Sequence, residues 1–134
     1  MADVVVRVFV DALSALYADS LQDSVFGFDS RRAFGSQGLG GPNVSTAVQE
    51  GDRIFWVAVS LECEAYVHLQ SIEFENPALR ATPVSVDGVS IFAMTVPELN
   101  SVEPYSMDIC VGTSGKAMKH SSGFSIRPAE AVHE

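Results

Sequence analysis

Apolar and polar residues alternate along most of this chain in short runs, and the runs are broken by glycine, proline, asparagine and aspartate. A period of two is the signature of β-strands with one face buried. Residues 3–11 open the pattern, with Val4, Val6, Val8 and Val10 on one face and Val5, Arg7 and Phe9 on the other. Residues 12–18 switch to helical spacing through Leu13, Leu16 and Tyr17. This predicts a short helix or turn, which Asp11 or Ser14 could cap.

A second strand is expected over 23–29, carrying Val25, Phe26 and Phe28. Residues 30–43 hold Gly35, Gly38, Gly40, Gly41 and Pro42, so they read as a flexible loop. Alternation resumes over 44–48, and Glu50-Gly51-Asp52 turns the chain into its strongest strand, 53–61. There Ile54, Trp56 and Ala58 face one way while Phe55, Val57, Val59 and Leu61 face the other, and a strand apolar on both faces is usually central or buried. Residues 65–72 place Val67 and Leu69 opposite Tyr66, His68 and Gln70, and Asn76-Pro77 ends that run. Residues 84–86 and 89–96, joined by Asp87-Gly88, read as a hairpin. Tyr105, Met107, Ile109 and Val111 share one face of a further strand. Residues 117–119 and 124–127 are expected to pair as the last strands, after a turn at Thr113-Ser114-Gly115-Lys116.

Some eight short strands separated by turn signals point to an all-β, two-sheet antiparallel β-sandwich. A chain of 134 residues with 47% hydrophobic residues fits one domain, 1–134, able to bury its own core. The expected core includes Val6, Val8, Ile54, Trp56, Val57, Val67, Leu69, Ile91, Met107 and Ile109.

Charge narrows the partners. Seventeen acidic against eight basic residues give a net charge of −9, which disfavours nucleic acid and anionic membrane surfaces. No apolar run approaches the roughly 18 residues of a membrane span. The opening residues carry Arg7 inside their apolar stretch and read as a strand rather than a signal peptide, so the chain is expected to stay in the cytosol unless a leaderless route exports it. Cys63 and Cys110 are the only cysteines. Buried thiols are the default in a reducing compartment, and sequence alone leaves their bridging open.

Candidate chemistry is sparse. The segment F-G-S-Q-G-L-G-G-P-N over 34–43 lacks the Lys-Ser or Lys-Thr of a Walker loop, and a strand rather than a helix follows it. No G-x-S-x-G elbow occurs, and His68, His120 and His133 show no triad or zinc spacing. Asp19, Asp23 and Asp29 lie near one another along the chain, so Asp23 and Asp29 are the candidate calcium ligands, although no D-x-D-x-D-G series is present. Glu62 and Glu64, and Glu73 and Glu75, share strand faces about 6.5–7 Å apart. That separation would suit a glycoside hydrolase. Solvated strand ends explain these carboxylates more simply, so no catalytic residue and no cofactor is expected. The richest candidate for binding is the glycine loop, where Arg31, Arg32, Gln37 and Asn43 could hydrogen-bond a glycan and Phe34 could offer an apolar face. Tyr17, Tyr66, Trp56 and Tyr105 could stack on sugars, with core packing the favoured reading for Trp56.

Three segments in order carry a family resemblance: Val8-Phe9-Val10-Asp11-Ala12-Leu13, Leu21-Gln22-Asp23-Ser24-Val25-Phe26 with Asp29 beyond it, and Glu50-Gly51-Asp52-Arg53-Ile54-Phe55-Trp56-Val57. Over roughly its first 75 residues the chain resembles the PixA/AidA family of bacterial inclusion-body and quorum-sensing-regulated proteins linked to host interaction. Where that family ends on an aromatic-Asp-Pro segment, this chain has Phe124-Ser125-Ile126-Arg127-Pro128. The resemblance implies a β-sandwich and carries over no catalytic residue. Inclusion formation, together with unpaired sheet edges and only Lys116 and Lys119 as lysine guards, leads to the expectation of a homo-oligomer. A glycan or host-surface ligand is the further partner class.

Overall fold

The computed structural model describes residues 2–62, 66–86, 89–112, 117–120 and 124–129. Ten strands and one short α-helix follow in the order β1 Asp3–Val10, α1 Ala12–Ala18, β2 Val25–Asp29, β3 Ser45–Val48, β4 Arg53–Ser60, β5 Val67–Phe74, β6 Thr82–Val86, β7 Val89–Thr95, β8 Glu103–Val111, β9 Ala117–His120 and β10 Ser125–Pro128. They form two sheets. One has the order β2-β1-β4-β7-β6; the other runs β3-β10-β8-β5, with β9 also paired to β8. The all-β sandwich expected from the alternation is therefore present.

Its pairing is mixed rather than wholly antiparallel. β1 runs parallel to β4 over its whole length, and β10 runs parallel to β3. Both parallel pairs join strands far apart in the chain, and periodicity within single strands carries no information about such partners. For the same reason the last two strands do not pair with each other. β9 forms a hairpin with β8, and β10 inserts between β3 and β8.

The core forms where the two inner faces meet. Val4, Val6, Val8 and Val10 of β1, Ile54 and Trp56 of β4, and Tyr105, Met107, Ile109 and Val111 of β8 are all buried. Trp56 lies at the centre, edge-on to Phe74 and Tyr105, and its indole N–H donates to the Tyr105 hydroxyl at 3.0 Å. Burial pushes the Tyr105 phenol up, and the Asp29 charge adds to that rise, so the phenol stays protonated. Of the expected core, Val57, Val67 and Ile91 are only half-buried. Val57 and Ile91 belong to the opposite face of their sheet, and that face proves to be partly exposed.

Two local departures bear on function. In β5 the register slips between Leu69 and Ser71, so Leu69, Ile72 and Phe74 all turn inward despite their uneven spacing. In α1 the Asp11 carboxylate caps the helix by accepting from Ser14 N, as expected. Yet the helix buries Ala12 and Ala15, not the stripe that announces it. Leu13 is 65% exposed, Tyr17 is 96% exposed, and Leu16 is exposed as well. Cys63, Glu64, Asp87, Gly88, Thr113 to Lys116 and His133 fall outside the described residues. Cys110 is buried, its sulfur 2.9 Å from Gln70 Oε1.

Candidate functional surfaces

The glycine loop 30–43 is built as a seal along one side of the sandwich. At its start Asp29 Oδ1 accepts from Arg31 N at 2.8 Å and turns the chain out of β2. A single 3-10 turn, Arg32–Phe34, follows. The chain then runs beside β3, the edge of its sheet. Gln37 and Ser45 exchange both backbone hydrogen bonds, and Ser36 Oγ accepts from Ala47 N. Next it crosses to β2, the edge of the other sheet, where Gly27 N donates to Gly41 O and Gly40 N donates to Gly27 O. One loop thus pairs with one edge strand of each sheet, and such edges are the usual sites of unwanted strand pairing. Its glycines serve this path. Gly38 has φ +75°, and a Cβ there would lie 2.0 Å from Asn43 O. Hydrogen bonds therefore tie down the segment that looks flexible in sequence.

Arg31 is the pin of this seal. Its side chain is buried and lies 3.6 Å from Asp52 Oδ2. It also stacks 3.6 Å from the centroid of Phe34, and its Nε donates to Ala47 O at 3.4 Å. Asp52, in turn, accepts from Ala2 N and Gln49 N. Arg31 and Phe34 thus hold one another and the β3–β4 turn instead of facing solvent. Arg32, Gln37 and Asn43 remain exposed. Gln37 also lines an open cleft of about 330 Å³ together with Asn100, Ser101, Val102, Arg127 and Pro128.

The two candidate calcium ligands are held apart. Asp23 sits before β2 and Asp29 at its far end, and the four strand steps from Val25 to Asp29 alone span about 13 Å. Asp23 takes a left-handed conformation, φ 62°, in the turn. Asp29 Oδ2 and Thr46 Oγ1 are the buried polar atoms without a hydrogen-bond partner among the described residues. No group of three or more His, Cys, Asp or Glu that could hold a metal occurs among those residues.

The carboxylates considered for catalysis divide similarly. Glu62 reaches α1 and accepts from Ala12 N at 3.0 Å and Leu13 N at 3.2 Å. Its pKa is lowered, chiefly by a hydrogen bond with Asp11, whereas a general acid needs a raised one. Glu73 lies exposed on the outer face of β5.

The largest unexplained feature is one that the sequence reading did not single out. The outer face of the β2-β1-β4-β7-β6 sheet is largely apolar and partly exposed, with Gly40 of the loop set against Phe28 at its β2 edge. Its rows follow from the strand register. Phe26, Phe9 and Val59 stand side by side, and Phe28, Arg7 and Val57 form the next row. Ile91 lies opposite Val84 on β7 and β6, and Val5, Phe55, Ala93 and Thr82 make a further row. Phe28 is 47% exposed and Val84 38%. A polar row of Asp3, Arg53 and Thr95 closes one end. There Arg53 pairs with Asp3 at 2.9 Å, and Arg53, Phe55 and Arg80 line a groove of about 280 Å³. The signal for this surface was the two-faced apolar pattern of 53–61, which also fits a strand buried on both sides.

A second exposed apolar group gathers at the end of the sandwich. Besides Leu13, Leu16 and Tyr17 of α1, it includes Leu61 and Tyr66. Leu61 N donates to Val10 O, Gly112 N donates to Tyr66 O, and the Leu16 side chain lies over Gly112, which places all five at one pole. The segments that carry it hold Asp11, Asp19, Asp23 and Glu62, and no Lys or Arg occurs in 11–23 or 60–66.

Comparison with known proteins locates the chain. Over residues 2–118 it matches, and so belongs to, the family described as a domain of unknown function, DUF8788. No curated protein matches it. Among solved structures it is similar to an inclusion body protein, PixA, from Burkholderia cenocepacia J2315. The TM-score is 0.68 at 12% identity, with 97% of this chain and 95% of that one covered. The likeness is one of fold, and it extends through the C-terminal strands, where the sequence resemblance stops. No helix among the described residues is long and apolar enough to cross a membrane.

Proposed function

We propose that this member of the DUF8788 family is a non-catalytic β-sandwich that self-associates into larger assemblies or inclusions. One observation carries the reading: the edge strands β2, β3, β5 and β6 are guarded, but one sheet face is left largely apolar. The loop covers β2 and β3, Pro83 removes a donor from the edge strand β6, and the slipped register interrupts the edge strand β5. The open face spans five strands, about 24 Å, and about 20 Å along them, on the order of 500 Å² in projection. Surface relief raises that toward the roughly 800 Å² per partner of a standard interface. Exposed patches of this scale mark interaction surfaces in soluble proteins. The inclusion-body neighbour is consistent with this reading, and the cytosol is where such an assembly would form. A role in contact between a bacterium and its host would belong to the assembly rather than to a catalytic site. Multi-angle light scattering across a hundredfold concentration range tests the proposal. Mass should rise with concentration, and a constant monomer mass would end it.

Glycan binding is a second reading, favoured by the exposed Arg32, Gln37 and Asn43 and by the open cleft that Gln37 shares with Asn100, Ser101 and Arg127. Arg31 and Phe34 would support that site from beneath rather than touch the ligand. A glycan array, run with and without calcium, should give hits that Arg32→Ala removes; a blank array discards the reading.

A further inference from the structure

The geometry points to a head-to-tail contact in which the α1 pole of one copy docks on the open sheet face of the next. This rests on the self-association proposed above and names its two surfaces. Among the described residues the face carries Arg7, Arg53 and Arg80 against the acid Asp3, so three positive charges and one negative leave those residues at +2 in a chain of net charge −9. The pole is the opposite. Its exposed Leu13, Leu16, Tyr17, Leu61 and Tyr66 belong to segments whose described charged residues are Asp11, Asp19, Asp23 and Glu62, all acidic.

Each surface alone is an apolar patch; together they match in apolar character and in charge. Face against face would set three arginines of one copy against three of another, and pole against pole would do the same with carboxylates. Like charges across an interface suppress pairing, whereas opposite potentials steer it. A Tyr that is 96% exposed on a one-sided helix is also a common form of interface anchor. The two surfaces lie on different sides of the molecule, the pole at the strand ends and the face along the sheet. Their contact is therefore heterologous. Such contacts do not close on themselves unless the rotation happens to complete a ring, so growth is open-ended, which is what an inclusion requires.

Two blocked variants decide the matter. Val57→Glu places an acid in the middle of the face, and Tyr17→Lys places a base on the pole. Both positions point away from the core, and near-UV circular dichroism of each variant checks that it is folded. Arg80→Glu serves as a second face variant at an exposed position outside the apolar rows. Wild type should form species beyond dimers, with association weakened by salt. Each variant alone should be monomeric, and an equimolar mixture of Val57→Glu with Tyr17→Lys should stop at a one-to-one complex, since one intact face meets one intact pole. A mixture that stays monomeric overturns the inference. So does a Tyr17→Lys variant that assembles like wild type while Val57→Glu and Arg80→Glu do not, because the face would then be pairing with itself. If all variants assemble like wild type, self-association stands and these surfaces are wrong. If wild type never leaves the monomer, self-association itself falls.

Discussion

Arg31 offers the sharpest test of the glycine loop as a seal, because its guanidinium is buried against Asp52 and Ala47 O. Replacing it with methionine keeps most of the volume and removes the charge. Asp52 then remains with its side chain 2% exposed and loses the counter-charge of Arg31, at 3.6 Å. Breaking a buried pair by removing one partner typically costs about 3–5 kcal/mol. Asp52 keeps its bonds from Ala2 N and Gln49 N, which argues for the lower end, and the lost contact with the Phe34 ring adds a smaller amount. The expected loss is about 3 kcal/mol, on the order of a 10 °C fall in Tm for a chain of this size. Urea unfolding of the single variants and of Arg31→Met with Asp52→Asn closes a double-mutant cycle. The double variant should recover part of the loss, since it leaves no buried charge behind. Hydrogen exchange should report the same event locally, with the amides of Gly27, Gly40 and Gln37 losing protection first. Arg32→Ala, at an exposed position, should stay within about 0.5 kcal/mol of wild type. An Arg31→Met protein as stable as wild type, with those amides still protected, would refute the seal.

Three further outcomes follow from the interior. Tyr105→Phe should cost about 1–3 kcal/mol, because the Trp56 indole N–H is left buried without its acceptor, and a denaturant midpoint equal to wild type would contradict that. Gly27→Ala should cost about 1–3 kcal/mol by overpacking, since its Cβ would lie 2.6 Å from both Phe124 and Val44 side-chain atoms; unchanged stability in urea would show that the two can part freely. His120 is held below its usual pKa of 6.5, chiefly by burial and against the opposing bond to Pro42 O. The unfolded chain therefore binds the proton first as pH falls, so stability is whole above about 6.5 and declines below it. His120→Gln should flatten the urea midpoint between pH 7.5 and 5.5, and a wild-type midpoint that rises on acidification would reverse the sign of the argument.

Much of the fold was legible because strand alternation is a local signal. The inward Val4, Val6, Val8 and Val10, the two-faced 53–61 strand and the Tyr105 to Val111 face all stand as their periodicity implies. What was not legible is partnership. Nothing in residues 3–10 or 53–60 says that these strands lie parallel and adjacent, and the slip between Leu69 and Ser71 hides Ile72 and Phe74 behind a broken period. The helix shows a different failure. Spacing alone marks Leu13, Leu16 and Tyr17 as one stripe, but the sandwich end admits only Ala12 and Ala15.

The internal roles of Arg31 and Asp29 were not legible for a related reason. Residues rich in hydrogen-bonding capacity look like ligand contacts until the protein's own edges claim them. Asp29, Asp52 and Trp56 lie in the very segments that carry the family resemblance, and each has a partner inside the fold: Arg31 N, the Arg31 guanidinium and the Tyr105 hydroxyl. These segments thus specify a framework, the joining of β2, the N-terminus and the β3–β4 turn. A framework can persist while the surface around it changes, and this fold is shared with a solved neighbour over 97% of the chain at 12% identity. The residues that would distinguish this protein from others of its architecture are then the ones the framework leaves unused. They are Arg7 among the apolar rows of the open face, and Tyr17 on a helix that turns its larger side chains to solvent.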